Sequence, residues 1–346
     1  ILLLNHFTTD ILGPLKNRVV MAPMTRGFAG PGHTATTEMT QYYGRRAQDG
    51  VGLILTEGVI VHSRGDGYNN VPYIETTAQA ESWRPVIDRV HEFNTKMVCQ
   101  LWHCGRISHE DFTTGLAPLS SSNLQAEGIN RQNNKPYGVP VAMKQTEISE
   151  VCDQFANAAK KAIKVGFDAV QLHCGHGYIC DQFIDDHVNN RTDSYGGSIK
   201  NRCRFTLELV NRVSEEIDPE KIIVRISPSR MKNGEIYDWN QLEDLLFFLL
   251  VKLEQIGIKI IDVSCANADY FQTAGRVIRK MRNKWKHLIM GGASLTPEQA
   301  EKEIASGYLD LVVWGRYILA NPDFVSRIAS GKPLEPFKID ILEQLR

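Results

Sequence analysis

The segment Leu172-His173-Cys174-Gly175-His176-Gly177-Tyr178 sets two imidazoles three residues apart, with a phenol two residues further on. Such a pair can bind a metal, exchange protons, or donate hydrogen bonds to an oxygen. A metal site lacks a clear acidic third ligand, although Asp181 stands close. Two N–H donors are better suited to an oxygen that gains charge, such as that of a carbonyl or nitro group. Tyr178 beside them can give a proton. One histidine alone would read as a packing residue, but the His-x-x-His-x-Tyr grouping at the end of an apolar run does not.

Gln100-Leu101-Trp102-His103-Cys104-Gly105-Arg106 puts Gln100 and Trp102 on one face of an extended run. A carboxamide donates and accepts at once, which suits the edge of a heterocycle, and an indole can wall a pocket. Arg225 sits inside the apolar run Val224-Arg225-Ile226-Ser227. A buried cation must be paired, either with a carboxylate or with the electron-rich side of a cofactor. Gly291-Gly292-Ala293-Ser294 and Gly315-Arg316 each follow an apolar run. Glycines let backbone N–H groups approach an anion, the Thr296 helix start adds favourable partial charge, and Arg316 offers a charged fork. Together they suggest a site for a phosphate. The polar stretch Asn190–Ser198 reads as a structural turn, with Ser198 capping a helix.

These groups need a frame, and the chain supplies a repeating one. Eight short apolar runs recur, at 18–23, 51–57, 96–101, 167–173, 222–227, 258–264, 287–291 and 309–315. Continuous apolar runs bounded by turn residues fit parallel strands buried on both faces. Helical segments lie between them. Thr146 and Glu147 open one that Gly166 stops, and Asp218-Pro219 ends the one running from Ser198. Thr296-Pro297-Glu298 opens a helix closed by Gly307, and Asn321-Pro322-Asp323 repeats that start for the last helix. Eight strand–helix repeats predict a (β/α)₈ TIM barrel over residues 1–346, as one domain with a long excursion at 112–142 after the third strand. A doubly wound open sheet competes, but no GxGxxG follows any strand. In a barrel the active site lies at the carboxyl ends of the strands. There stand Pro23, Met24 and Thr25, Glu57 and Gly58, Gln100, Trp102 and His103, His173, His176 and Tyr178, Arg225, Gly291 and Gly292, and Gly315 and Arg316.

Composition excludes other classes. The 346 residues carry 39 Lys+Arg against 40 Asp+Glu, a net charge of -1, so no basic excess exists to neutralise nucleic-acid phosphates. No apolar run reaches the roughly 18 residues a membrane span needs. The cysteines number seven, an odd count without any CxxC pair, which favours free thiols over a zinc or iron–sulfur site. A cytoplasmic enzyme without nucleic-acid or membrane partners is expected.

The chain resembles the old yellow enzyme family of FMN-dependent ene-reductases over nearly its whole length. The resemblance rests on Ala22-Pro23-Met24-Thr25-Arg26, on Gln100-Leu101-Trp102-His103 with Gly105-Arg106, and on His173–Tyr178 continuing through Asp181-Gln182-Phe183 to Arg191–Ser198. Trp314-Gly315-Arg316 with Asn321-Pro322 completes it. The resemblance implies FMN as cofactor, with Pro23, Met24, Thr25, Gly58 and Gln100 around its ring system and Arg225 toward the side where charge collects on reduction. Gly292, Ala293, Gly315 and Arg316 would hold the phosphate. His173 and His176 would grip the substrate's activating oxygen, Tyr178 would protonate its α-carbon, and Tyr68 and Trp102 would line the substrate pocket.

The implied reaction has two halves: NADPH or NADH gives a hydride to the flavin and leaves, and an unsaturated carbonyl, nitro or quinone-like compound then takes its place. No metal is implied, and the protein would be a monomer or homodimer. Thr25 rather than Cys places the chain with the Thr-type members. Gly58 and Ala293 depart from the commoner Ala and Gly at those places, and the aromatic pattern around Tyr317-Ile318 is shifted. Three other readings compete: an FMN barrel oxidising a hydroxy acid, a non-catalytic flavin-binding barrel, and a metal-dependent barrel hydrolase.

Overall fold

A computed structural model describes residues 1–265 and 267–346. Eight parallel strands form a closed barrel in chain order. They are β1 Val19–Met21, β2 Leu53–Ile60, β3 Lys96–Trp102, β4 Ala169–His173, β5 Ile222–Ile226, β6 Ile260–Val263, β7 Leu288–Gly292 and β8 Leu311–Trp314. Closure comes from β8 pairing β1, with Val312 opposite Val19 and Trp314 opposite Met21. The expected strands all appear, as does the closed sheet. Their apolar runs are continuous because one face of each strand packs in the barrel and the other under helices.

The barrel interior is layered. Val20, Leu53, Leu55, Val98, Ala169, Ile223, Ile260, Met290 and Leu311 form one apolar cluster. A hairpin of Phe7–Thr9 and Gly13–Leu15 adds Leu12 and Leu15 to that cluster, with Phe7 and Ile11 packed against it. Helices fill the outer layer. Gln145–Val165 ends at Gly166 in the left-handed conformation, φ 116°. Ser198 caps Ile199–Glu216 by accepting from Asn201 N. Thr296 and Gln299 cap each other at the start of Pro297–Ala305.

Three expectations change. Strand β2 does not stop at Glu57: a bulge between Leu55 and Gly58 shifts its register, and the ladder then resumes to Ile60. Glu57 and Gly58 therefore lie inside the strand. Asn321 does not start the last helix, which runs Phe324–Ser330. Its carboxamide donates to Tyr317 O and Glu335 O and accepts from Glu335 N, which pins the tail instead. Finally, β5 is followed by an unanticipated hairpin, Ser229–Lys232 with Glu235–Asp238. Its turn is Asn233-Gly234, both at positive φ (51° and 82°), which matches the twist of a two-residue hairpin.

The excursion over 112–142 is built from two small pairs, Leu119–Ser120 with Val141–Ala142 and Ile129–Asn130 with Lys135–Pro136. Ser120 and Ser121 hydroxyls donate to Gln182, which ties this excursion to the short helix Ile179–Ile184 after β4. No helix among the described residues is long and apolar enough to cross a membrane.

Candidate active site

A cavity of about 490 Å³ opens at the carboxyl ends of the strands. Alternation along each strand decides what reaches it. In β3, Val98 belongs to the apolar layer, whereas Gln100 and Trp102 on the same face rise to the cavity. In β4 the sequence Ala169, Gln171, His173 climbs likewise, and in β5 Ile223 is followed by Arg225.

The His-x-x-His-x-Tyr segment folds as a tight turn after β4. Gly175 has no room for a side chain, because a Cβ there would collide with Ser227 Oγ. His176 adopts a left-handed φ of 57°, uncommon for a residue with a Cβ, and its N–H donates to Ser227 Oγ. The turn brings the His173 and His176 rings to 5.0 Å between centroids, and His173 to 4.9 Å from Tyr178. Trp102 closes the group at 5.0 Å from Tyr178. His176 Nε2 lies 2.6 Å from Ser264 Oγ. His173 Nδ1 is buried without a hydrogen-bond partner among the described residues.

Protonation follows from burial. Desolvation, with the Arg225 cation second, pushes both histidines well below their ordinary value of 6.5, so they stand as neutral rings. Burial also raises the Tyr178 phenol far above its ordinary value, aided by Tyr68, so the hydroxyl keeps its proton. Tyr68 and Tyr178 hydroxyls are 2.6 Å apart. Asp66, absent from the sequence reading, fixes Tyr68 by accepting from its backbone N–H, and its other oxygen accepts from Tyr73.

Asp181 cannot act as a third metal ligand for the pair. Its carboxylate already accepts from Gly177 N and Trp239 Nε1 and pairs with Arg230.

Among the described residues Arg225 pairs with Asp262 on β6 and with Ser264 directly after it. Its Nη2 donates to Ser264 Oγ at 2.8 Å, and its Nε lies 3.6 Å from Asp262 Oδ2. Sequence reading anticipated that a partner must exist but not which residue, because only strand register places Arg225 opposite Asp262. The opposite end of the cavity is formed by Gly291, Gly292, Ala293 and Ser294 after β7 and by Gly315 and Arg316 after β8. Gly315 leaves space beside Met24, whose sulfur a Cβ would approach to 3.0 Å. The Thr296 helix start does not reach the cavity; its first N–H groups are used by the Thr296–Gln299 cap.

Pro23, Met24, Thr25 and Gln100 also line the cavity. Gly58 and Tyr68 stand one layer back. Gly58 lies under the Trp102 ring, which a Cβ would strike, Tyr68 is tilted against Trp102 with centroids 4.7 Å apart, and His103 is buried outside the cavity lining. The C-terminal tail, unanticipated from the sequence, brings Phe337, Ile339 and Leu342 to the wall of the same cavity. Arg26 holds it by donating to Ile341 O and Gln344 O.

This donor set fits a planar heterocycle carrying a phosphate. A carboxamide and a guanidinium would face the ring, and two glycine-bearing loops with Arg316 would face the anion. Such a barrel is that of the flavin oxidoreductases. Residues 12–335 match the NADH:flavin oxidoreductase / NADH oxidase family, and the chain belongs to it, as an FMN-dependent oxidoreductase of the old yellow enzyme type. The chain is 33% identical to 12-oxophytodienoate reductase 2 of Arabidopsis thaliana over 335 residues, covering 93% of this chain and 87% of that protein. The old yellow enzyme homologue from Zymomonas mobilis superimposes with a TM-score of 0.89 at 32% identity, covering 98% of this chain and 96% of that one. Morphinone reductase in complex with tetrahydroNAD superimposes with a TM-score of 0.88 at 30% identity, over 98% and 93% of the two chains.

Proposed function

We propose that residues 1–346 form one FMN-binding domain that reduces the C=C bond of α,β-unsaturated carbonyl or nitro compounds in the cytoplasm. The carrying observation is the convergence of His173, His176 and Tyr178 on one side of the cavity, with both imidazoles neutral and the phenol protonated. Bound FMN supplies the hydride carrier, which NADPH or NADH reloads; a tetrahydroNAD complex of morphinone reductase supports the nicotinamide assignment.

The residues of the chain do the rest. Pro23, Met24, Thr25, Gly58, Gln100 and Arg225 surround the ring system, and Gly292, Ala293, Gly315 and Arg316 hold the phosphate. His173 and His176 donate N–H groups to the substrate's carbonyl or nitro oxygen. Charge grows on that oxygen as the double bond is reduced, so these donors bind the transition state more strongly than the ground state. Tyr178 gives its proton to the α-carbon, and Tyr68, at 2.6 Å, can donate to the oxygen left behind. Trp102 shapes the pocket wall, and Tyr68 supports its ring from behind. The seven buried, unpaired cysteines accord with a reducing compartment.

The test is an absorption spectrum of the purified protein. A yellow protein bleached anaerobically by NADPH or NADH, and recoloured by an enone or nitroalkene, is expected. A colourless protein that takes up no FMN ends the reading. Bleaching by a hydroxy acid and not by a nicotinamide would favour the oxidase alternative.

A further inference from the structure

At the cavity floor a polar chain runs across neighbouring strands of the barrel. Arg225 on β5 and Asp262 on β6 are ladder partners, and so are Gln171 on β4 and Gln100 on β3. Asp262 Oδ2 lies 3.6 Å from Arg225 Nε and accepts from Gln171 Nε2 at 2.9 Å. Gln171 Oε1 in turn accepts from Gln100 Nε2 at 2.9 Å. Asp262 and Gln171 are buried, at 1% and 0% exposure, whereas Gln100, Asp262 and Arg225 all border the cavity.

The direction of this chain follows from its charged end. A carboxylate only accepts, so Gln171 must turn its NH₂ toward Asp262 and its oxygen toward Gln100. Gln100 must then meet that oxygen with its own NH₂. Ionised, Asp262 thus orients two carboxamides, the second of which faces the cavity; burial pushes its carboxyl above the ordinary carboxylate value, while Arg225 and the Gln171 hydrogen bond pull it back. The same carboxylate lies beside Arg225 and offsets part of its field.

We propose that Asp262 is a positioning residue that sets the net charge and the hydrogen-bond polarity the barrel presents to bound FMN. Resting on the flavin reading above, this gives Arg225 a counter-charge and Gln100 a fixed donor–acceptor sense. With Asp262 ionised, the ring meets a compensated pair instead of a free guanidinium. Electron uptake, which leaves negative charge on the flavin, is then less favoured than it would be beside Arg225 alone.

Redox titration of the FMN-loaded protein at pH 7 separates charge from shape. Asp262→Asn and Asp262→Ser remove the charge, and each should shift the flavin reduction equilibrium about tenfold toward the reduced form, a rise of about 30 mV for a two-electron couple. Asp262→Glu keeps the charge and should stay within about twofold of the parent protein. Parent-like potentials in both neutral variants would overturn the proposal and show that Asp262 is protonated or too remote. A Glu variant displaced as far as the neutral ones would overturn it in favour of a packing role. So would neutral variants that fail to fold while the Glu variant folds. Failure of the unmodified protein to bind FMN would instead strike the flavin reading itself, before any variant is made.

Discussion

At the amino-terminal end of the barrel the inward residues are Val98, Ala169, Ile223 and Ile260; two residues further along the same strands they are Gln100, Gln171, Arg225 and Asp262. The lower layer meets the hairpin residues Leu12 and Leu15 and is closed to water. The upper layer contains charges and carboxamides, and above it the wall carries His173, His176 and Tyr178. The backbone is the same in both layers, and only the side chain at every second position differs. The lower end can therefore be optimised for burial alone. The upper end accepts a left-handed histidine and a buried histidine nitrogen without a partner among the described residues. Both carry a free-energy cost that a bound ligand can offset.

The sharpest way to break this division is to strip the upper end. Replacing His173 and His176 together by Ala should lower enone turnover by at least about 10²-fold, the loss expected for removing even one such donor, while FMN stays bound. Tyr178→Phe should cost about 10²–10⁴-fold in turnover through loss of the proton donor. Thermal midpoints should move little, because these side chains border a cavity. Steady-state kinetics beside a melting curve decides it: unchanged turnover would remove both assignments.

The converse change strips the lower end. Ile260, two residues before Asp262 on β6, is fully buried in the apolar cluster. Ile260→Ala should lower the unfolding free energy by about 2–5 kcal/mol, the transfer loss plus the cavity left behind. Turnover per folded molecule at low temperature should be unchanged. A large loss of turnover with the fold intact would show that the two layers are mechanically coupled.

Glu57 lies between the layers. Its carboxylate accepts from Arg26 N and Gly27 N, directly after Thr25, and burial lifts it from an ordinary 4.5 to about 7. The folded protein thus holds this proton more tightly than the unfolded chain does. The group's contribution to stability is complete below pH 4.5 and is lost as pH rises through about 7. The loss amounts to about 3 kcal/mol at most. Comparing denaturant unfolding of the parent and Glu57→Gln at pH 5 and pH 8 should show the difference moving toward Gln by up to that amount. A difference independent of pH would mean that the carboxyl is not lifted.

Much of this was readable before any coordinates. The strands announce themselves because burial on both faces demands unbroken apolar runs, and the rim residues interrupt those runs at their carboxyl ends. Local turn chemistry also reads well: Gly166, Ser198 and Thr296 all act as their types suggest. What escaped is non-local or ambiguous. Asp262 and Ser264 look ordinary in Ile260-Ile261-Asp262-Val263-Ser264, and only register sets them against Arg225 and His176. Asn233-Gly234 did carry a hairpin signal, but the flanking residues lack strong alternation. Asn321 looked like a helix cap because its type favours one; a tertiary contact to Glu335 claimed its side chain instead. Nothing local foretells that the tail returns over the cavity.

The two ends of the barrel are also closed differently. The lower end is closed by a hairpin held through apolar packing, whereas the upper end is covered by a segment held through backbone carbonyls. Arg26 donates to Ile341 O at 3.1 Å and to Gln344 O at 2.6 Å, and Arg316 lies over the Phe337 ring at 5.4 Å. Phe337 and Leu342 line the cavity together with the loops after β7 and β8, where the proposed mononucleotide would rest. Deleting residues 336–346 keeps the Asn321–Glu335 contacts and should weaken FMN binding about tenfold, or about 1.4 kcal/mol. Arg26→Ala, which removes two tethers and leaves Phe337, should give a smaller part of that effect. Fluorescence titration of the deflavinated protein with FMN measures both. Equal affinity in all three proteins would show that the upper end retains its cofactor through the strand tips alone.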